Sequence, residues 1–327
     1  METQTSLPVE DVHQCMKEFW REIESVIIGR HKEIQLMFVA LLSQGHVLVE
    51  DLPGTGKTTM SKAFSKALDF QFARVQCTPD LLPSDVVGSS IYKPHTGDFI
   101  LKKGPVFTNI LLVDEINRAL PRTQSSLLEA MEENQVSIEG ETHALKQPFM
   151  VLATQNPIEM EGTFPLPEAQ MDRFLMRITL GYPSLEEEQL MLKSVGDHIP
   201  YDQIRGIFSP KLIQSMQLQS RQVQVREEII QYISRLAAST RQHEEIQVGV
   251  SPRGSKALYK TVKAWAFLQG RNYVTPDDVK NMIPPVWNHR LILRPEARIN
   301  QVTAVSLLKR ITESVEAPKE KILHHDK

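Results

Sequence analysis

The chain has 327 residues, of which 41% are apolar and 24% charged, with 37 Lys and Arg against 40 Asp and Glu and a formal net charge of -3. That composition is globular and excludes a disordered chain, a collagen-like fibre and a disulfide scaffold, and the near-neutral balance gives no support to a strongly basic nucleic-acid binder. Two cysteines, Cys15 and Cys77, offer neither a disulfide framework nor a Cys-based metal site, which fits a reducing compartment. The length exceeds what one hydrophobic core usually supports, so two domains are expected. The start, METQTSLPVEDVHQ, lacks the basic and apolar regions of a signal peptide. No apolar run reaches the ~18–20 residues of a membrane span. A cytoplasmic protein is expected.

In chain order, Val12, Met16, Phe19, Trp20 and Ile23 are spaced for a helix over Val9 to Val26. Ile34, Met37, Phe38, Leu41 and Leu42 predict a second, which Gly45 ends. Val47 to Val49 reads as a strand before a Gly-rich turn. Met60 to Leu68 reads as helix and Phe70 to Val75 as strand. Ile110 to Val113, Phe149 to Ala153 and Leu175 to Leu180 are runs apolar on both faces, as buried parallel strands are. Alternating strands and helices predict an α/β domain with helices on both sheet faces, over about residues 1–181.

After Tyr182-Pro183-Ser184 the pattern turns helical. Helices are expected over Glu186 to Val195, Pro210 to Met216, Val225 to Thr240, Pro252 to Gln269, Pro276 to Asn281 and Gln301 to Glu316. Ser251-Pro252 and Thr275-Pro276 place a capping residue before a proline at the first helical position. Residues 182–327 are therefore expected to form an all-helical domain, with a frayed tail from Ala317. Charge is uneven. Ile246 to Arg310 carries eleven Lys and Arg against three Asp and Glu. Such a stretch is either a solvated helical face or a surface that meets an anionic ligand.

Between the first strand and the third helix stands Glu50-Asp51-Leu52-Pro53-Gly54-Thr55-Gly56-Lys57-Thr58-Thr59. Strand, Gly-rich turn, then helix is the context of a P-loop. Gly54 and Gly56 let the backbone N–H groups face a phosphate in front of a helix N-terminus. Lys57 then reaches the β- and γ-phosphates, and the Thr58 hydroxyl meets Mg²⁺. Asp51 stands where the pattern has its first glycine. Ile110-Leu111-Leu112-Val113-Asp114-Glu115 ends a buried strand in two carboxylates, at the sheet edge where open α/β sheets bind ligands. Asp114 is the candidate for Mg²⁺ through its water shell, and Glu115 for the general base on water. In Val151 to Pro157, Asn156 either contacts the γ-phosphate or the attacking water, or is a turn residue before proline. Arg173, in Asp172-Arg173-Phe174, and Arg253, in Ser251-Pro252-Arg253-Gly254, are either phosphate-binding or surface arginines.

The order of these motifs resembles that of an AAA+ ATPase, and their wording resembles the MoxR family. The phrases are Val26-Ile27-Ile28-Gly29-Arg30, Thr78 to Gly88, Asp114 to Ala119, QSSLLEAMEENQ from Gln124, Thr154 to Pro157, FPLPEAQMDRF from Phe164, Ser251-Pro252-Arg253 and His289-Arg290. The resemblance runs from about Glu22 to Pro295. It implies a P-loop core with a parallel sheet and a helical lid, binding ATP or ADP with Mg²⁺. The nucleotide-binding residues it implies are Ile28 and Gly29 at the adenine, then Asp51, Leu52, Pro53, Gly54, Thr55, Gly56, Lys57, Thr58 and Thr59. Asn156 is then similar to sensor 1, Arg253 to sensor 2, and Arg173 to a finger offered to a neighbouring subunit. Gln76 would hold Glu115 aside until a substrate arrives. Gly88 to Pro105, turning at Thr96-Gly97, and Gln135 to Gln147, turning at Gly140, resemble hairpin inserts of one AAA+ branch. Trp287-Asn288 stand where such proteins often carry Leu-Arg. The implied activity is that of a hexameric ATP hydrolase that remodels or matures a partner protein, possessing in some cases a von Willebrand factor A domain. Two other classes compete. A nucleic-acid motor would carry Lys or Arg on its hairpin tips, and the tip Glu139-Gly140-Glu141 is acidic. A non-hydrolysing ATP-gated module would lack Glu115 or Arg173, and both are present.

Overall fold

The computed structural model describes residues 9–50, 54–95, 97–156, 162–193 and 203–318. The chain forms two compact units, Met1–Gln219 and Ser220–Lys327.

The first unit contains α1 (Val9–Glu24), α2 (His31–Leu42), β1 (Val47–Glu50), α3 (Lys57–Ala67), β2 (Phe72–Gln76), α4 (Pro83–Val87), β3 (Gly88–Lys93), β4 (Asp98–Lys103) and β5 (Ile110–Asp114). A 3-10 turn (Ile116–Arg118), α5 (Pro121–Glu133), β6 (Gln135–Ile138), β7 (Glu141–Ala144), β8 (Met150–Gln155), α6 (Glu168–Met171), β9 (Met176–Ile178) and α7 (Leu185–Lys193) follow, and α8 (Pro210–Gln222) crosses into the second unit. Five strands form one parallel sheet in the order β2-β5-β8-β1-β9.

The central strands are buried on both faces, which is why they read as continuous apolar runs. One face buries Leu111, Val113, Val151 and Ala153 with Leu127, Leu128 and Met131 of α5. The helical layer of α1, α2 and α3 meets in an aromatic cluster. The rings of Phe19 and Phe38 lie 5.2 Å apart, Phe19 and Phe64 6.1 Å, and Phe38 and Phe208 5.3 Å, all edge-on. Such contacts add to the large area each ring buries.

Phe208 explains where the first unit ends. It is fully buried among these rings, and Gln217 of α8 donates to Leu41 O at 2.7 Å. The composition shift at 182 therefore precedes the compact-unit boundary at 219. Both hairpins form where inserts were expected. β3 pairs with β4 from Gly88 opposite Lys103 to Lys93 opposite Asp98, and β6 pairs with β7 around Glu139-Gly140. Thr96, in the first turn, lies outside the described residues.

The second unit holds α9 (Glu227–Gln242), β10 (Ile246–Val248), α10 (Pro252–Leu268), α11 (Pro276–Trp287), β11 (Ile292–Leu293), α12 (Pro295–Ile299) and α13 (Ala304–Ser314). It is helical but not wholly so, because β10 and β11 form a short antiparallel ribbon. Runs of two or three residues carry no readable alternation. The expected caps form: Gly254 N–H donates to Ser251 Oγ at 3.1 Å, and Thr275 and Asp278 make a reciprocal capping box. Helix α11 continues to Trp287, past the expected end at Asn281, despite Pro284 and Pro285. Each proline removes one backbone bond. Met282, Ile283, Val286 and Trp287 are all buried and hold the turn in place.

Candidate functional site

The turn after β1 opens α3. Gly54 and Gly56 have φ of 79° and 87°, and a Cβ on either would meet nothing within 4 Å. Positive φ suits glycine, and the missing side chains leave room for a ligand against the backbone. Lys57, Thr58 and Thr59 form the first turn of α3, behind Gly56 as its N-cap. Thr55 is half-buried beside them. Asp51, Leu52 and Pro53 lie outside the described residues.

Parallel pairing brings the ends of β2, β5 and β8 beside this turn. Gln76 lies opposite Asp114, Val113 opposite Ala153, and Glu50 of β1 opposite Gln155. Asp114 is buried, and Thr154 Oγ1 donates to its Oδ1 at 2.6 Å. The same hydroxyl accepts from Glu115 N–H at 2.8 Å. Arg74 Nη2 donates to Asp114 Oδ2 and to Gln76 Oε1, both at 2.7 Å. Gln76 Nε2 donates to Glu115 Oε2 at 2.9 Å, and Arg118 Nη1 lies 3.3 Å from that oxygen.

Glu115 adopts φ 57° and ψ 53°, the left-handed region. For a residue with a Cβ this costs about 1–2 kcal/mol, and such strain is common at functional sites. The bond to Thr154 and the turn bond Arg118 N–H to Glu115 O, 2.8 Å, hold it there. Cys77 follows Gln76. Its thiol is pushed up to about 12, first by burial and then by the nearby Asp114 and Glu115 carboxylates. It is a packing residue, not a nucleophile.

Asn156 is buried at the exit of β8, at the same sheet edge. The following Pro157 lies outside the described residues. Arg173 follows α6 and pairs with Glu132 near the end of α5, Nε to Oε2 3.1 Å. Ile28 is half-buried, and Gly29 has φ 75°. The backbone favours glycine there; a Cβ on Gly29 would also meet the Glu187 carboxyl of α7, a flexible side-chain end that can move aside. The next residue, Arg30, donates to Leu180 O, and to Gly181 O at 2.9 Å, which fixes this segment to the exit of β9.

In the second unit, Arg253 is exposed in the first turn of α10, just after the Ser251 cap. Trp287 is fully buried, and its indole N–H donates to Gly254 O at 3.0 Å. Trp287 thus braces the turn that carries Arg253. His289 and Arg290 are buried as well, and Arg290 Nη1 donates to Val286 O.

Among the described residues no group of three or more His, Cys, Asp or Glu converges as a metal cage. A cation here would rest on the Thr58 hydroxyl, the Asp114 carboxylate and ligand oxygens. That donor set fits Mg²⁺, which keeps waters and takes one or two carboxylates plus phosphates. Sequence reasoning missed Arg74, Thr154, Glu132 and Glu187 as parts of the site. An arginine on an edge strand reads as a solvated residue, and Thr154 reads as strand until the pairing of β5 with β8 lets its hydroxyl donate to Asp114.

Residues 46–176 match the family described as "ATPase family associated with various cellular activities (AAA)", and residues 238–311 match the AAA lid domain. The chain is 44% identical to the YeaC protein of Bacillus subtilis, over 94% of this chain and 97% of that one. It is 39% identical to the chaperone MoxR1 of Mycobacterium tuberculosis, over 94% of this chain and 83% of that one. A solved structure from Cytophaga hutchinsonii, of a protein assigned as an ATPase, superposes with a TM-score of 0.89 at 38% identity, covering 95% of this chain and 97% of that one.

Proposed function

The chain belongs to the MoxR family of AAA+ ATPases, and from that premise we propose that it hydrolyses ATP with Mg²⁺ in a ring of identical subunits to remodel or mature a partner protein. One observation carries the hydrolytic part. A carboxylate, Glu115, is held by a neutral amide beside a second carboxylate, Asp114, next to a glycine turn that opens a helix.

The chain's own groups divide the work. The backbone of Gly54 to Thr58 and the N-terminus of α3 receive the phosphates, and Lys57 answers their charge. Mg²⁺, when bound, neutralises charge on the β- and γ-phosphate oxygens. Thr58 and Asp114 are the residues that would hold it. Glu115 takes a proton from the attacking water, once Gln76 gives up its hydrogen bond. Asn156 orients the water or the γ-phosphate. Arg173 meets the phosphate charge of the next subunit's nucleotide. Arg253 keeps the role the resemblance gives it, a second-sensor arginine. Ile28 and Gly29 seat the adenine.

Chaperone naming among the relatives supports a protein client. A von Willebrand factor A domain on that client, a six-fold ring and a cytoplasmic location belong to the same proposal. No helix among the described residues is long and apolar enough to cross a membrane. A second reading has a specific observation behind it. The β3–β4 hairpin sets Lys93 beside exposed Tyr92 and Phe99, whose rings lie 5.4 Å apart, and carries Lys102 and Lys103 at its base, opposite Ser89 and Gly88. Cations beside aromatics suit single-stranded nucleic acid, whereas the β6–β7 tip is acidic. DNA binding that collapses as salt rises would favour this reading.

The nucleotide site is tested with Lys57→Ala. Calorimetric titration with ATP and Mg²⁺ should show binding to the wild type and its loss in the variant. Equal binding by both would remove the assignment.

A further inference from the structure

We propose that Arg74 is a positioning residue that ties the metal carboxylate to the catalytic carboxylate, so that Glu115 is released only when a divalent cation claims Asp114. The inference rests on reading the site as one for Mg²⁺ and ATP.

β2 is an edge strand of the sheet, paired on one side with β5. Side chains two apart on a strand share a face. Arg74 and Gln76 therefore stand together, in register with Leu112 and Asp114. One guanidinium nitrogen, Nη2, makes both of the short contacts, to Asp114 Oδ2 and to Gln76 Oε1, each at 2.7 Å. Nη2 has two protons, and each contact uses one.

The contact to Gln76 sets the orientation of its amide. With Oε1 turned to the guanidinium, Nε2 faces Glu115 Oε2 at 2.9 Å. The flipped amide would set its NH₂ against a cation and its oxygen against a carboxylate. The result is one line of donors and acceptors: Asp114, Arg74, Gln76, Glu115.

The other end of the line is the competition. Asp114 Oδ1 already accepts from Thr154, and Oδ2 holds Arg74. A hydrated divalent cation that uses Asp114 meets a guanidinium on the same carboxylate, and two cations there repel. The Asp114 side chain is 11% exposed and the Arg74 side chain 44%. The arginine is therefore the mobile partner, and it swings into solvent without opening the core. When it leaves, Gln76 Oε1 loses the contact that fixed its amide. Glu115 then loses its oriented amide donor, keeps only Arg118 Nη1 at 3.3 Å on that oxygen, and can accept from water in the place Gln76 held.

The test reads metal dependence, not turnover alone. ADP binding is measured by calorimetry across a Mg²⁺ series at fixed ionic strength, for wild type, Arg74→Met, Arg74→Gln and Arg74→Lys. Folding of each is checked by thermal unfolding. The Mg²⁺ concentration at half effect should fall about threefold in Arg74→Met and Arg74→Gln, the size of a partly exposed ion pair. Affinity for metal-free ADP should stay within about twofold, since the contacts of Arg74 are to Asp114 and Gln76. Arg74→Lys keeps the charge and should restore the wild-type midpoint. An unchanged midpoint in both neutral variants overturns the inference while leaving the ATPase reading intact. A wild type that binds no nucleotide, as Lys57→Ala is expected to do, overturns both.

Discussion

Glu115 is a carboxylate held between an amide and a guanidinium on a strained backbone, and its exchange for an amide separates binding from chemistry. Glu115→Gln keeps the size and the strain of the residue but cannot take a proton from water. Nucleotide affinity should stay near wild type while phosphate release falls by about 10²–10⁴-fold. Turnover near the wild-type rate would show that another group is the base. Lys57, Thr58, Asp114 and Glu115 were legible as residue types at fixed offsets from two predicted strands. The line from Arg74 through Gln76 was not. It depends on β2 lying beside β5 with Gln76 opposite Asp114, and register between strands some forty positions apart leaves no mark on either strand alone.

The sheet is fastened at its opposite edge by a buried histidine, and this gives a second kind of prediction. His46 immediately precedes β1. Its Nδ1 accepts from Val151 N–H of β8 at 2.9 Å, and its Nε2 lies 2.9 Å from Met131 O of α5. The accepting Nδ1 fixes the tautomer, so Nε2–H donates to the carbonyl. Burial lowers the imidazole from 6.5 to about 4, partly offset by the Met131 carbonyl. The sign follows from linkage. The unfolded chain takes up a proton near pH 6.5 and the folded one only near pH 4. The contribution is complete above pH 6.5 and declines as pH falls toward 4, by on the order of 3 kcal/mol in all. Urea unfolding at pH 7.5, 6 and 5 should therefore show stability dropping in the wild type. His46→Gln should be weaker at pH 7.5, with a flatter profile. Parallel profiles for the two proteins would contradict this role. Elements differ in how readable they were. The central strands were plain because both their faces are buried, and the Ser251 and Thr275 caps because capping chemistry is local. Helix α11 was cut short at Asn281 because prolines argue for an end, while the burial that overrides them is tertiary. The ribbon of β10 and β11 was too short to show. The extension of the first unit to Gln219 rests on Phe208 and Gln217, whose partners lie far back in the chain.

Assembly decides whether Arg173 reaches a nucleotide. Within one subunit it pairs with Glu132, on the surface and away from the glycine turn in sequence. A surface pair of this kind contributes about 1 kcal/mol or less, so an anionic phosphate on a neighbour can displace it. The whole account, a P-loop ATPase completed by the next subunit's arginine, therefore turns on one mixing experiment. Arg173→Ala should bind ATP and be nearly inactive, since a finger is worth on the order of 10³–10⁵ in rate. Lys57→Ala should be inactive because its pocket is empty. In an equal, freely exchanging mixture, about a quarter of the interfaces in a closed ring join an intact P-loop to an intact finger. Phosphate release by the mixture should rise well above that of either variant alone. Exchange demonstrated by fluorescence transfer between labelled subunits, with no recovery of activity, would contradict the account.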